Sequence, residues 1–436
     1  MNPTSEDPGR PRPWPAESKE TSSVADDDRL RTVDEHLASV LDGIGSIDPI
    51  ELTLLDAQGL LLAEDIRADF PLPSFDNSAM DGYAVRATDT RDASGDDPVR
   101  LQVVGDVAAG AKLRSGMGPG LAMRIMTGAP IPAGADAVIP LEDTDRGVAR
   151  VAINRPARSG ECVRRSGEDL AAGAGALGAG AALGPQQLAL LAAIGRDRVV
   201  VRPRPRVIIL STGSELVEIG HTPSFGEVID SNSYMIAAAA KDAGADAWRI
   251  GIVPDDHARL LDTLESQLLR ADVLITTGGV SMGAFDVVKE ALSELGTVEF
   301  TRVAMQPGKP QGFGHLGDKV PIFCLPGNPV SSLVSFEAFV RPAIRKMLGK
   351  RSLQRATVQA VALEGAPSPR GVRQYRRGIL HREATGGYSV SFSGGAGSHL
   401  LAALALSNCL VVIAEEDTEV IAGSEVTVIP LLLSNR

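Results

Sequence analysis

The sequence predicts a multidomain chain in which a doubly wound α/β unit is joined to separate β units. Three observations predict it. From Arg206 to about residue 350, short apolar runs alternate with amphipathic stretches, the rhythm of parallel strands and crossover helices. From about 72 to 166, and again from 351 to 436, short alternating runs are divided by Gly, Pro and polar turns, as in small β domains and barrels. The 436 residues are also too many for a single core.

Taken in order, residues 1–27 are rich in Pro, Ser and charge with little to bury, and are expected to be disordered. Leu30 to Leu41 reads as a helix with Val33, Leu37, Val40 and Leu41 on one face, and a second helical piece is expected at Leu52 to Ala63. Pro71 to Asp89 is a turn-rich segment that opens the small β domain of residues 72–166. Helix returns within 167–202, at Pro185 to Ile194. In the α/β stretch the strands are RVIIL, AWRIGIV, VLITT, FTRVAM and VPIFCL. They are followed by STGSE, PDD, TTGGVSMG, QPGKP and LPGNP, with a last helix from about Val330 to Leu348. The runs ATVQAVAL, YSVSF, CLVVIAE and EVTVIPLLL make the C-terminal β-barrel.

Composition narrows the function classes. A net charge of −12 and only 4% aromatics argue against nucleic acid and anionic membranes as partners. Cys162, Cys324 and Cys409 are odd in number and unpaired in spacing, the pattern of reduced thiols in a cytoplasmic protein. No run is long enough to span a bilayer.

Parallel strands deliver the segments that follow them to one edge of the sheet, where open α/β folds bind ligands. That edge should gather Ser211, Thr212, Gly213 and Ser214 with Gly278, Gly279, Val280, Ser281 and Gly283. Lys309 and the Pro326, Gly327, Asn328, Pro329 and Ser331 turn should join them. Glycines before a helix expose backbone N–H groups to anions, and Asn328 with Pro329 reads as an N-cap and first helical residue. Glu215, Asp230, Asp255 and Asp286 fall on or beside the same edge. Each could be an ordinary cap, but together beside a phosphate cradle they suggest a Mg2+ site. The six histidines have no zinc-ligand spacing.

Two formal motif matches are set aside. GAGALG at Gly173 to Gly178 lacks a preceding strand, so it is not a dinucleotide fingerprint. GVSMG at Gly279 to Gly283 fits a nucleophile elbow, but its glycines run on before the helix starts, and no motif places a histidine as base. Asp81, in FDNSAMDGYA, is either a turn carboxylate bonding its own backbone or a functional group.

The segments PLPSFDNSAMDGYAVR, RIMTGAPIPAGADAVI, RSGEDL, STGSEL, ITTGGVSMGAFD, QPGKPQGFG and LPGNPVSSLVSF, in this order, resemble molybdopterin molybdenumtransferases. This is the MoeA family, which includes the E domains of gephyrin-like proteins. The resemblance runs from about residue 28 to the end. It implies a split helical domain (28–71 and 167–202), an inserted β domain (72–166), a molybdopterin-binding α/β domain (203–350) and a C-terminal β-barrel domain (351–436). It implies a homodimer whose cleft lies between the α/β domain of one subunit and the inserted domain of the other. The implied reaction inserts molybdate into adenylated molybdopterin and releases AMP with Mg2+ assisting. The implied active residues are Asp81, Thr127, Glu215, Asp255 and Asp286, with Glu215, Asp255 and Asp286 toward metal, and Pro326 and Pro329 in the LPGNP loop. Gln306 and Arg302 stand where many relatives carry lysine. Partners beyond the substrates would be the molybdopterin adenylyltransferase and molybdoenzymes. Two other classes fit parts of the pattern: molybdopterin adenylylation, whose enzyme shares the α/β domain, and a non-enzymatic cofactor carrier or scaffold.

Overall fold

Runs of β-branched residues, stiff at χ1 and suited to a pleated surface, form the central sheet of the computed structural model. The structure describes residues 29–112, 116–279, 285–317, 319–384 and 386–431. Val280, Ser281, Gly283 and the N-terminal 28 residues lie outside them, as do the side chains of residues 285–287. The strands are β1 (Arg206–Thr212), β2 (Asp246–Val253), β3 (Val273–Thr277), β4 (Gly296–Arg302), β5 (Pro310–Leu316) and β6 (Val320–Leu325). They lie in the order β2-β1-β3-β6-β5-β4. Helices α1 (Asn232–Ala243), α2 (His257–Leu268) and α3 (Phe285–Leu295) intervene, and β2, β1, β3 and β6 run parallel. Gly244, at φ 105°, ends α1 in the left-handed conformation that glycine tolerates best.

One half of the sheet departs from the expected parallel pattern. No strand was expected at Pro310–Leu316, yet β5 pairs antiparallel with both β4 and β6. Two reversals restore the direction of β4, so it still ends on the same edge as β6. The glycines that hide β5 in the sequence are what let it fit. A Cβ on Gly314 would lie 1.9 Å from the Thr297 carbonyl oxygen.

The helix after LPGNP comes close to its expected span, as Pro329–Ser335, a π turn at Phe336–Val340 and Arg341–Met347. The N-terminal helix Val33–Asp42 opens on a capping box between Thr32 and Glu35. Its Val33 and Val40 share one core with Ile209, Ile275, Phe323 and Phe339. It therefore packs with the α/β unit rather than with the 167–202 segment.

The second helix expected at Leu52 to Ala63 is not there. Strands Ile50–Thr53 and Leu61–Leu62 occupy that stretch and pair antiparallel with Arg198–Arg202. Gly59, at φ 79°, turns the chain between them. Pairing with a Val-rich strand has overridden leucine's helical preference. With Val33–Asp42 packed on the α/β unit, helix in the rest of 28–71 and 167–202 is confined, among the described residues, to Pro185–Ala193.

Residues 72–166 hold a five-stranded sheet in the order Ala137–Pro140, Gly82–Val85, Leu121–Ile125, Val99–Val107, Arg150–Ile153. The C-terminal region closes five strands into a barrel, Arg373–Arg382 pairing with both Tyr388–Phe392 and Cys409–Ile413. No described helix is long and apolar enough to cross a membrane.

Candidate active site at the carboxyl edge of the sheet

The geometry begins with strand register. Ser211 lies opposite Thr277, and Thr277 opposite Leu325, so β1, β3 and β6 end together. The turns that follow must then meet, and they do. Gly278 and Gly279 have φ of 95° and 69°, values that side chains resist. A Cβ on Gly278 would sit 2.3 Å from the Thr212 carbonyl oxygen, and one on Gly279 2.8 Å from the Thr212 hydroxyl. A Cβ on Gly327 would sit 3.6 Å from the Gly278 Cα. Asn232, at the start of α1, ties the third turn in by donating from Nδ2 to the Gly327 oxygen at 2.6 Å.

The carboxylates divide into different roles. Asp255 Oδ2 accepts from the Ser214 N–H at 3.3 Å, while the Asp255 N–H donates to Ser214 Oγ at 3.2 Å. The Glu215 carboxylate folds over Gly213, its oxygens 2.6 and 2.8 Å from where a Cβ would stand. Asp286 is the second residue of α3, following the glycine turn. Asp230 is not on the surface of this edge at all. It is 2% exposed, and its oxygens accept from Ser211, Ser233 and Arg249.

Among the described residues, several buried polar atoms at the edge have no partner: Thr212 Oγ1, Asn232 Oδ1 and Asp255 Oδ1. Buried groups are normally paired, so these oxygens mark the edge as unsatisfied. Oxygen donors of this kind suit Mg2+. Among the described residues no three His, Cys, Asp or Glu side chains form a metal cluster. That set is not required, because Mg2+ is usually held by one or two carboxylates together with substrate phosphates.

The LPGNP turn differs in part from its expected role. Pro329 is the first helical residue and Asn328 the N-cap, but Asn328 makes no side-chain cap bond. The Val330 N–H donates to the carbonyl of Ser398 at 3.1 Å, so a loop of the barrel closes this helix start. Ser331 is buried. Lys309 reaches the same edge two strands out from β3, on a turn whose Gln306 pairs beside Gln374 of the barrel. Gln306 Oε1 accepts from Gln374 Nε2 at 2.7 Å, a bond lysine could not make.

Asp81 and Thr127 come together in the inserted sheet. Asp81 Oδ1 accepts from the Thr127 N–H at 2.7 Å and from its hydroxyl at 2.8 Å. These two bonds hold the Asp81 carboxyl below its ordinary range. Among the described residues the other bond at Asp81 runs from the Leu141 N–H to its carbonyl, within the same inserted domain.

Three family models match the chain in sequence: MoeA N-terminal region (domain I and II) over residues 31–195, probable molybdopterin binding domain over 208–346, and MoeA C-terminal region (domain IV) over 359–431. Molybdopterin molybdenumtransferase 1 of Mycobacterium tuberculosis is 45% identical, the match covering 92% of this chain and 98% of that protein. The chain belongs to the MoeA family. Molybdopterin molybdenumtransferase 2 of the same organism is 46% identical over 92% of this chain and 99% of its own length. The crystal structure of a molybdopterin biosynthesis MoeA protein from Pyrococcus horikosii superposes with a TM-score of 0.80 at 32% identity, covering 93% of this chain and all of that one.

For this MoeA chain, sequence reasoning missed Asn232, the Arg373–Arg382 strand and the barrel loop through Ser398. Arg377 donates to the carbonyls of Gly395 and Gly397, which holds that loop against the LPGNP helix. The run SGGAGSH, with its glycines and Ser398, was the available signal.

Proposed function

We propose that this chain is a molybdopterin molybdenumtransferase of molybdenum cofactor biosynthesis, inserting molybdate into adenylated molybdopterin and releasing AMP with Mg2+ assisting. The observation that carries the reading is the meeting of the Thr212–Gly213, Gly278–Gly279 and Gly327 turns beside the unpartnered oxygen of Asp255. Relatives of that name, matched along nearly the whole chain, support it.

Breaking the phosphoanhydride places charge on phosphate oxygens, and fixed donors must meet it. When bound, Mg2+ supplies charge neutralisation at those oxygens. Asp255 and Glu215 are the side chains that would hold it, with Asp286 the third carboxylate of the proposal. Gly213, Gly278, Gly279 and Gly327 let phosphate approach the backbone where any Cβ would stand in the way. The Thr212 hydroxyl orients an oxygen at the floor of the edge, and Asn232 accepts from a donor of the guest. Molybdate, a tetrahedral dianion, is a substrate, and Lys309 supplies a cation toward it. Asp81, fixed and ionised by Thr127, completes the cleft from the inserted domain of the partner in a homodimer. The enzyme works in the cytoplasm, receiving adenylated substrate from the adenylyltransferase and passing product to molybdoenzymes.

The test is direct. Purified protein given adenylated molybdopterin, Mg2+ and molybdate should release AMP. An intact preparation whose AMP release does not depend on molybdate would overturn the reading.

A further inference from the structure

We propose that Asp230 is a positioning residue of the transfer reaction, acting on the glycine turns through Ser211 and on the Leu216–Ile229 loop through Arg249. The inference rests on the function proposed above. Asp230 lies beneath the edge, 2% exposed, and each of its oxygens is engaged. Oδ1 accepts from Ser211 Oγ at 2.9 Å and from the Ser233 N–H at 3.1 Å. Oδ2 accepts from Ser233 Oγ and, at 3.4 Å, from Arg249 Nη2. Ser211 Oγ in turn lies 2.8 Å from Thr277 Oγ1.

Ser211 is the residue before Thr212–Gly213, and Thr277 the residue before Gly278–Gly279. One carboxylate therefore sets the spacing of the two strand ends from which both glycine turns spring. The other side of the network reaches the loop that begins at Glu215. Arg249 Nη2 donates to both oxygens of Glu218 at 3.2 Å, and its guanidinium lies 3.6 Å from the centroid of the Tyr234 ring. The loop is closed by bonds from the Val228 N–H to the Glu215 carbonyl at 2.9 Å and from the Asp230 N–H to the Val217 carbonyl at 3.0 Å. Glu215 and the glycine turns thus share one buried anchor.

A buried carboxylate is costly in an apolar interior, and here it has no substrate to touch. What it fixes is the separation of groups that must meet a phosphate, where about 1 Å of misplacement costs about a hundredfold in rate.

The experiment uses the full chain carrying Asp230→Asn, Ser211→Ala or Arg249→Lys. AMP affinity in the presence of Mg2+ is measured by calorimetry, the half-saturating Mg2+ concentration from AMP release, and folding from the thermal midpoint. Asp230→Asn should weaken AMP binding and raise the half-saturating Mg2+ concentration by about tenfold or more, a displacement well within what 1 Å can cost. Ser211→Ala, which cuts only the link to the strand ends, should move both in the same direction. Arg249→Lys keeps a cation on the network and should lie between these variants and wild type. A lowered midpoint with unchanged AMP affinity and Mg2+ dependence would mean a merely structural role and overturns the inference. If Asp230→Asn does not fold, Ser211→Ala decides on the same criteria. Wild-type protein that binds AMP with Mg2+ yet releases none counts against the proposed reaction alone, and the AMP affinities of the variants then decide the role of Asp230.

Discussion

Asp81 shows how much a single residue can reveal and conceal. Its motif marks a turn carboxylate, and the structure adds a threonine 46 positions on that gives it two donors. The Thr127 N–H is the larger cause of its lowered pKa and the hydroxyl the second. Thr127→Val should therefore raise the Asp81 carboxyl part of the way back toward its ordinary value, read by carbon NMR titration. No rise would mean that the hydroxyl contributes nothing to holding the ionised form. Asp230 was misread for the opposite reason. Nothing in DSNSY says that its side chain turns under the sheet, since that depends on Arg249 arriving from the neighbouring strand. His36 gives a pH dependence at the same scale. Burial pushes it from 6.5 down to about 4, with its ring edge-on to Phe339. The unfolded chain takes up this proton more readily, so the stability from His36 is complete above about pH 6.5 and is lost as pH falls toward 4. Each pH step of one within that window should cost about 1.4 kcal/mol. His36→Phe should shrink the difference between unfolding midpoints at pH 7 and pH 5. An undiminished difference would assign the acid sensitivity to other groups.

Among the elements, those with a clean period were legible in the sequence. α1 and α2 carry apolar stripes, and the β-branched runs of β1, β3 and β6 lie at the expected positions. β5 was not legible, because PQGFGHL has the composition of a loop and its role depends on neighbours on both sides. Arg373–Arg382 was hidden likewise, its alternation masked by four arginines in ten residues. The Leu-rich stretch after Leu52 failed in the other direction, since it carries helix formers that a partner strand captured. β5 offers a stability test at this scale. Gly→Ala in a strand interior normally costs little or helps, through reduced freedom of the unfolded chain. At Gly314 the new methyl would lie 1.9 Å from the Thr297 oxygen and 2.5 Å from the Val298 Cα. These are backbone atoms that cannot swing aside. Gly314→Ala should destabilise the protein by about 1–3 kcal/mol, as overpacking does. Chemical denaturation measures it, and a neutral or stabilising result would contradict the close β4–β5 register.

At the scale of the whole molecule, the proposed site is divided between units that the chain folds separately. Asp255 and the glycine turns belong to the α/β sheet, whereas among the described residues Asp81 and Thr127 are bonded within the inserted domain. The sequence could name both halves, because each sits in its own short motif. Residue pattern alone could not say whether they serve one guest, which in the proposed homodimer would depend on how subunits assemble. If the partner's Asp81 completes each cleft, chains carrying Asp81→Asn and chains carrying Asp255→Asn should complement one another. In a mixed dimer with two-fold symmetry, one cleft receives both substitutions and the other receives neither. Random mixing of equal amounts makes about half the dimers mixed, each with one intact cleft of two, so about a quarter of wild-type AMP release should return. Each variant alone should stay near its own low baseline, and exchange can be verified with differently tagged chains. Verified mixed dimers with no recovered activity would place Asp81 and Asp255 in a site made by one chain, and the inserted domain would then have to fold back onto its own α/β edge.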